Sequence, residues 1–170
     1  TSRKTKCQSW YLDLSLLFAY WGDGKANTRV FHHTGPITMI YAMREALRIA
    51  LEEGLEARFA RHRRAHEAFV AGLEAMGLSL FTRGRRLPML NVINIPEGID
   101  DLAVRRRLLE QNIEISGGFG PLAGKVWRVG LMGVNANPAP VMTLLSALET
   151  ALAEQGYRCE RGAAVAAARE

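Results

Sequence analysis

The stretch from Gly117 to Gly130, Gly-Gly-Phe-Gly-Pro-Leu-Ala-Gly-Lys-Val-Trp-Arg-Val-Gly, constrains this chain more than any other. Its glycines predict a loop where backbone can approach a ligand closely. The loop runs straight into Val126 to Leu131, which alternates with period two. A strand there puts Arg128 on one face with Val126 and Gly130, and Trp127, Val129 and Leu131 on the other. A guanidinium in such a strand suits a planar anion, a carboxylate above all, because its fork can donate two parallel hydrogen bonds. The competing reading is an exposed or internally paired arginine.

The rest of the 170 residues, 48% hydrophobic and 23% charged, can bury a core of one or two small domains. No apolar run approaches the roughly 20 residues of a membrane helix, so no membrane partner is expected. Cys7 and Cys159 have no metal-like spacing and read as reduced thiols. The net charge of +5 and the clusters Arg58, Arg61, Arg63, Arg64 and Arg83, Arg85, Arg86 invite a nucleic-acid reading. No nucleic-acid motif accompanies them, and the first cluster, with Glu52, Glu53, Glu56 and Glu67 nearby, reads as a solvated helix face. The chain opens on Thr1 and a polar, basic stretch, which reads as a piece of something longer.

Periodicity and punctuation predict a short amphipathic helix over Trp10–Trp21, stopped by Gly22-Asp23-Gly24. A second helix, about Pro36 to Glu53, carries Ile37, Ile40, Tyr41, Leu47 and Leu51 as its core side. A third runs from about Leu55 to Met76 and ends at Gly77. Strands follow at Leu78–Thr82 and Met89–Ile95, then a helix capped by Asp100 or Asp101 that runs to about Gln111. Strands at Ile113–Ile115 and Val126–Leu131 and a helix over about Pro138–Gln155 complete an α+β unit with helices on one sheet face. The alanine-rich end, Gly162 to Glu170, has no core pattern and is expected to be frayed.

Several motifs carry less than they promise. Gly118-x-Gly120-x-x-Ala123 matches a dinucleotide fingerprint, but a strand follows where that fingerprint needs a helix. Gly120 to Lys125 is one residue short of a P-loop and has Val126 where a magnesium-binding hydroxyl belongs. His62 and His66 have a metal-compatible spacing, yet their arginine neighbours would repel a cation, so they read as surface histidines. His32-His33-Thr34 precedes a helix start, where N–H groups and the helix dipole favour a phosphate; simple capping by Thr34 explains the same residues.

Over about residues 2 to 155 the chain resembles the carboxyl-terminal portion of alanine–glyoxylate and serine–pyruvate aminotransferases, class V, fold type I pyridoxal-phosphate enzymes. The likeness is carried by Ser2-Arg3-Lys4-Thr5-Lys6, Trp10-Tyr11-Leu12-Asp13, Tyr20-Trp21-Gly22, His32-His33-Thr34, Arg44-Glu45-Ala46-Leu47, Glu53-Gly54-Leu55-Glu56, Gly117 to Pro121 and Gly124 to Gly133. It implies the end of a large cofactor-binding domain over residues 1–60, a small α+β domain over 61–157 with an antiparallel sheet covered by helices, and a disordered tail over 158–170. It also implies a homodimer handling small amino and keto acids, in which Phe31, His33 and Thr34 reach the pyridoxal 5'-phosphate of the partner subunit and Arg128 binds the substrate carboxylate.

Relatives usually have a tyrosine where Phe31 stands, so the resemblance implies one phosphate hydrogen bond fewer here. The lysine that holds the cofactor as a Schiff base is expected upstream of Thr1. Lys4, Lys6, Lys25 and Lys125 do not occupy its motif, so the chain alone is expected to be inactive. The activity implied is transfer of the amino group of alanine to glyoxylate, giving pyruvate and glycine. The alternatives are serine as donor, to pyruvate or glyoxylate, a lyase or desulfurase reaction, or a non-catalytic dimerisation module. The family implies a peroxisomal or mitochondrial location, although Ala168-Arg169-Glu170 is no Ser-Lys-Leu-like tail.

Overall fold

A computed structural model of the chain describes residues 4–22 and 30–169. The likeness at Ser2 and Arg3, the stop signal at Asp23 and Gly24, Lys25 and the final Glu170 lie outside the described residues. The chain divides into two compact units, Thr1–Glu52 and Glu53–Glu170. The sequence puts the division near residue 60; the units part at Glu53, whose carboxylate is tied forward to Arg58 and Arg61.

In the first unit, helix α1 spans Leu14–Trp21. It starts four residues inside the stretch expected to be helical because Trp10–Asp13 makes a turn and Asp13 then caps, its Oδ1 accepting from the Ser15 N–H at 2.9 Å. Gly22, at φ 80°, ends it. Helix α2 spans Ile37–Glu53. The stripe Ile37, Ile40, Tyr41, Leu47 and Leu51, expected as a core side, is exposed at every position. The 3.6-residue period is real, but nothing among the described residues covers that face: periodicity specifies which face needs a partner, not that one is present.

The second unit begins with α3, Leu55–Ala75, and continues through β1 (Leu90–Asn94), α4 (Asp101–Leu109), β2 (Ser116–Gly117), β3 (Val126–Gly130), α5 (Pro138–Ala153) and α6 (Ala163–Ala167). The strands form one antiparallel sheet in the order β1-β3-β2, with β3 central. Ile93, Trp127 and Val129 join Phe69, Leu73 and Met76 of α3, Val104 and Leu108 of α4, and Leu145, Leu148 and Leu152 of α5 in one buried cluster. The helices therefore cover the sheet face that carries Trp127. The α+β architecture expected from the sequence is the one found.

Three expectations need correction. Leu78–Thr82 forms no regular strand; it meets β1 through the single bridge Leu80 to Ile93 before the Arg83–Arg86 turn leads it away. Ile113–Ile115 wraps the end of α4, its Ile113 N–H donating to Leu108 O at 3.0 Å, and the strand falls on the next two residues instead. The end of the chain is not frayed: α6 packs on α3 and α5, with Ala164 and Ala168 buried. Its helix start is held by the buried Glu149 of α5, whose Oε2 accepts the Gly162 N–H at 2.9 Å.

Candidate functional site

Arg128 sits in the middle of the central strand, opposite Val92 on β1 and Ser116 on β2, and is half-buried. The strand is pinned from its other face. Trp127, fully buried, donates its Nε1–H to Asp101 Oδ1 at 2.9 Å, and Arg105 holds the same carboxylate at 2.8 and 3.1 Å. The Arg105 guanidinium, with the indole N–H helping against burial, keeps the Asp101 carboxyl below the ordinary carboxylate range. The acceptor that locks Trp127 is thus ionised at neutral pH.

The glycine loop folds over the face of β3 that carries Arg128. Gly118 donates its N–H to Val126 O at 2.8 Å. A Cβ at Gly118 would overlap the Leu122 carbonyl oxygen and lie 2.6 Å from its carbon, so only glycine lets the loop close this tightly. That closure buries Val126, outside the main cluster, and delivers the Gly117 carbonyl to Arg128, whose Nε donates to it at 2.9 Å. The Phe119 ring lies against the guanidinium, 4.8 Å from its central carbon to the ring centroid. Nη1 and Nη2 have no partner among the described residues. The two readings of Arg128 open from sequence thus part: the arginine is fixed through Nε, and its terminal fork is left to donate.

The second cluster belongs to the first unit. His32 is buried and stacked on Trp10, with ring centroids 4.0 Å apart and planes 3° from parallel. Its Nε2 lies 3.1 Å from Trp10 O, which can only accept, so Nε2 carries the proton. A neutral His32 then accepts at Nδ1 from His33 Nδ1–H, 2.7 Å away. Tyr11 meets the His33 ring edge-on at 4.9 Å, and Tyr20 meets Phe31 at 6.3 Å. Phe31 and Thr34 are exposed, and α2 begins three residues after Thr34. The part His32 plays in organising the cluster leaves no local sequence signal, because its partner Trp10 is 22 residues away.

No protein-family model matches the chain. It is 46% identical over 160 residues, 93% of its length, to (S)-ureidoglycine–glyoxylate transaminase of Bacillus subtilis, and 43% identical over 155 residues, 89% of its length, to alanine–glyoxylate aminotransferase of Callithrix jacchus. It spans only 38% and 37% of those two curated relatives. Among solved structures, ureidoglycine–glyoxylate aminotransferase of Bacillus subtilis superposes with a TM-score of 0.84 at 46% identity, over 95% of this chain and 41% of that one. Alanine–glyoxylate aminotransferase of Nostoc sp. gives 0.78 at 51% identity, over 89% and 40%. By these matches the chain is similar to the class V aminotransferases. Its match is to their carboxyl-terminal portion.

Within the chain the histidines expected on the surface are structural ties. His62 Nδ1 donates to Arg58 O at 2.7 Å, and its Nε2 accepts the Gly133 N–H at 3.3 Å; His66 pairs through Nδ1 with Asn91 Oδ1 at 2.7 Å. The arginine cluster is only partly a solvated face, since Arg61 donates to Glu53 and to the carbonyls of Gly133 and Ala136. No group of three metal-binding side chains occurs among the described residues. Cys7 and Cys159 are free thiols, and burial, with the Glu149 charge beside it, pushes the Cys159 thiol up.

Proposed function

We propose that the enzyme carrying this chain transfers an amino group to glyoxylate, with alanine as donor, and that Arg128 binds the α-carboxylate of each acid. The observation that carries this is the state of that guanidinium: Nε committed to the Gly117 carbonyl, both terminal nitrogens unpaired among the described residues, the whole held in a pinned strand. Alanine, glyoxylate, pyruvate and glycine share one group, a carboxylate on the reacting carbon, and a fixed fork orients it for every step.

The cofactor in this reading is pyridoxal phosphate, which supplies an electron sink for bonds at the substrate α-carbon. The residues of the first unit suit its phosphate as donors. Thr34 offers an exposed hydroxyl at the entry to α2, where first-turn N–H groups favour an anion. His33 has its Nδ1 proton committed to His32, so it donates to a phosphate at Nε2 only as the imidazolium. Phe31 has no donor; its exposed ring can wall the group but not bind it. The reading carries a homodimer with it, in which Thr34 and His33 of one subunit serve the cofactor of the other.

A second donor is favoured by a specific finding: the Bacillus subtilis relative, 46% identical, is named for (S)-ureidoglycine. Initial rates with alanine, (S)-ureidoglycine and serine against glyoxylate decide among donors. The reading itself is tested by Arg128→Lys, which keeps the charge and loses the fork. A fall in kcat/KM of about 100-fold for donor and glyoxylate alike is expected. Unchanged values refute the assignment.

A further inference from the structure

An arginine side chain is long and rotamer-rich, so a carboxylate gains from its fork only if something else holds the guanidinium still. The Gly117 carbonyl fixes Nε and with it one direction of the fork. That single hydrogen bond leaves the plane free to swing about it. The Phe119 ring, lying against the guanidinium, removes this freedom. Phe119 is 71% exposed and lies outside the buried cluster, so packing of the core does not explain an aromatic ring there. Its backbone is set by its neighbours: the close approach that only glycine allows at Gly118, and the left-handed φ of 57° at Gly120.

We infer that Phe119 is a positioning residue for substrate: its π face backs the Arg128 guanidinium while Gly117 holds Nε, so that Nη1 and Nη2 wait in one plane for the α-carboxylate. The inference rests on the reading of Arg128 as the carboxylate-binding residue. Phe119 touches no bond that changes. Its effect therefore falls on the binding of both amino and keto acids, and not on the chemical step.

The test compares Phe119→Leu, Phe119→Ala and Phe119→Tyr in the holoenzyme. Leucine keeps apolar bulk without a π face, and tyrosine restores the face. KM for alanine and for glyoxylate rises about 3- to 10-fold in the leucine and alanine variants, kcat stays within about twofold, and tyrosine returns KM to the wild-type value. The Kd of propionate, an unreactive carboxylate followed by NMR titration, moves by the same factor. A leucine variant with unchanged KM and Kd overturns the inference, as does a fall in kcat alone or a tyrosine variant no better than leucine. Arg128→Ala separates the two levels. If it leaves KM and Kd unchanged, the reading of Arg128 fails; if it raises both while Phe119→Leu does not, only the role of Phe119 fails.

Discussion

Gly118→Ala adds one methyl group where the site has no room for it. The new Cβ would overlap the Leu122 carbonyl oxygen, lie 2.6 Å from its carbon and 3.0 Å from Val126 Cγ2, against ordinary contact beginning at 3.4 Å. Two of the three obstacles are backbone atoms, so no side-chain rotation relieves the overlap, and the loop from Phe119 to Gly124 must move. Overpacking of this kind costs about 1–3 kcal/mol, and loss of the hydrogen bond from Gly118 to Val126 adds about 1 kcal/mol. The movement also carries away the Gly117 carbonyl that orients Arg128, and a displacement of about 1 Å at such a point costs on the order of 100-fold in kcat/KM.

The comparison that isolates the cause uses two other glycines. Gly120 has no atom within 4 Å of its added Cβ but a φ of 57°, so Gly120→Ala costs roughly 1–2 kcal/mol through backbone strain alone. Gly35 has neither obstacle nor positive φ, and Gly35→Ala changes stability by less than about 0.5 kcal/mol. Urea denaturation followed by circular dichroism, with steady-state rates measured alongside, should rank the losses 118, then 120, then 35. A Gly118→Ala protein as stable and active as the wild type would refute the claim that loop closure positions Arg128.

Acid should loosen the second unit through Glu53. The Arg61 guanidinium, helped by Arg58 and opposed by burial, holds its carboxyl at about 2 against the ordinary 4.5. A lowered pKa gives stability that is fully present above the ordinary value and is lost as pH falls through the native one, so the loss runs from about pH 4.5 towards 2. Glu53→Gln should flatten the pH dependence of the urea midpoint in that window; an identical slope would contradict the assignment. Ala164→Glu sets an unpaired carboxylate where α6 is fully buried, and should detach the tail. Limited proteolysis should then cut within 158–163 while the preceding fold stays resistant, and a variant no more sensitive than the wild type would sink the docking of α6.

Much of the fold was legible because its punctuation is local. Of the two expected caps of α4, Asp100 serves, its Oδ1 accepting from Leu102 and Ala103. Gly54 and Gly77, both at positive φ, break the chain where the pattern of apolar residues stops. What escaped the sequence depends on partners far along the chain. The tail helix docks by lacking bulk: a Cβ on Gly72 would lie 2.9 Å from Ala164 O, and small residues meeting small residues leave no mark in a hydrophobic pattern. His66 finds Asn91 25 residues away, and His62 finds Gly133 71 residues away. Spacing along one helix could suggest a metal for that pair, but not the two carboxamide and backbone partners that occupy them.

The site divides along the same line. Arg128 stands out in sequence because a charge in an apolar strand conflicts with its surroundings, and such conflicts concentrate where a ligand resolves them. The glycines before it announce a close approach, which the sequence assigns to a ligand. Only the fold shows that the approach is of Gly118 to the Leu122 carbonyl, and that its product is a Gly117 oxygen on Arg128 Nε. Thr34 and His33 are adjacent in sequence and their proximity is no surprise, yet the proton that His33 shares with His32 follows from Trp10, whose carbonyl fixes the His32 tautomer. In both places the sequence names the group that would meet the ligand, while a backbone carbonyl from outside that group decides which of its hydrogens remain to be given.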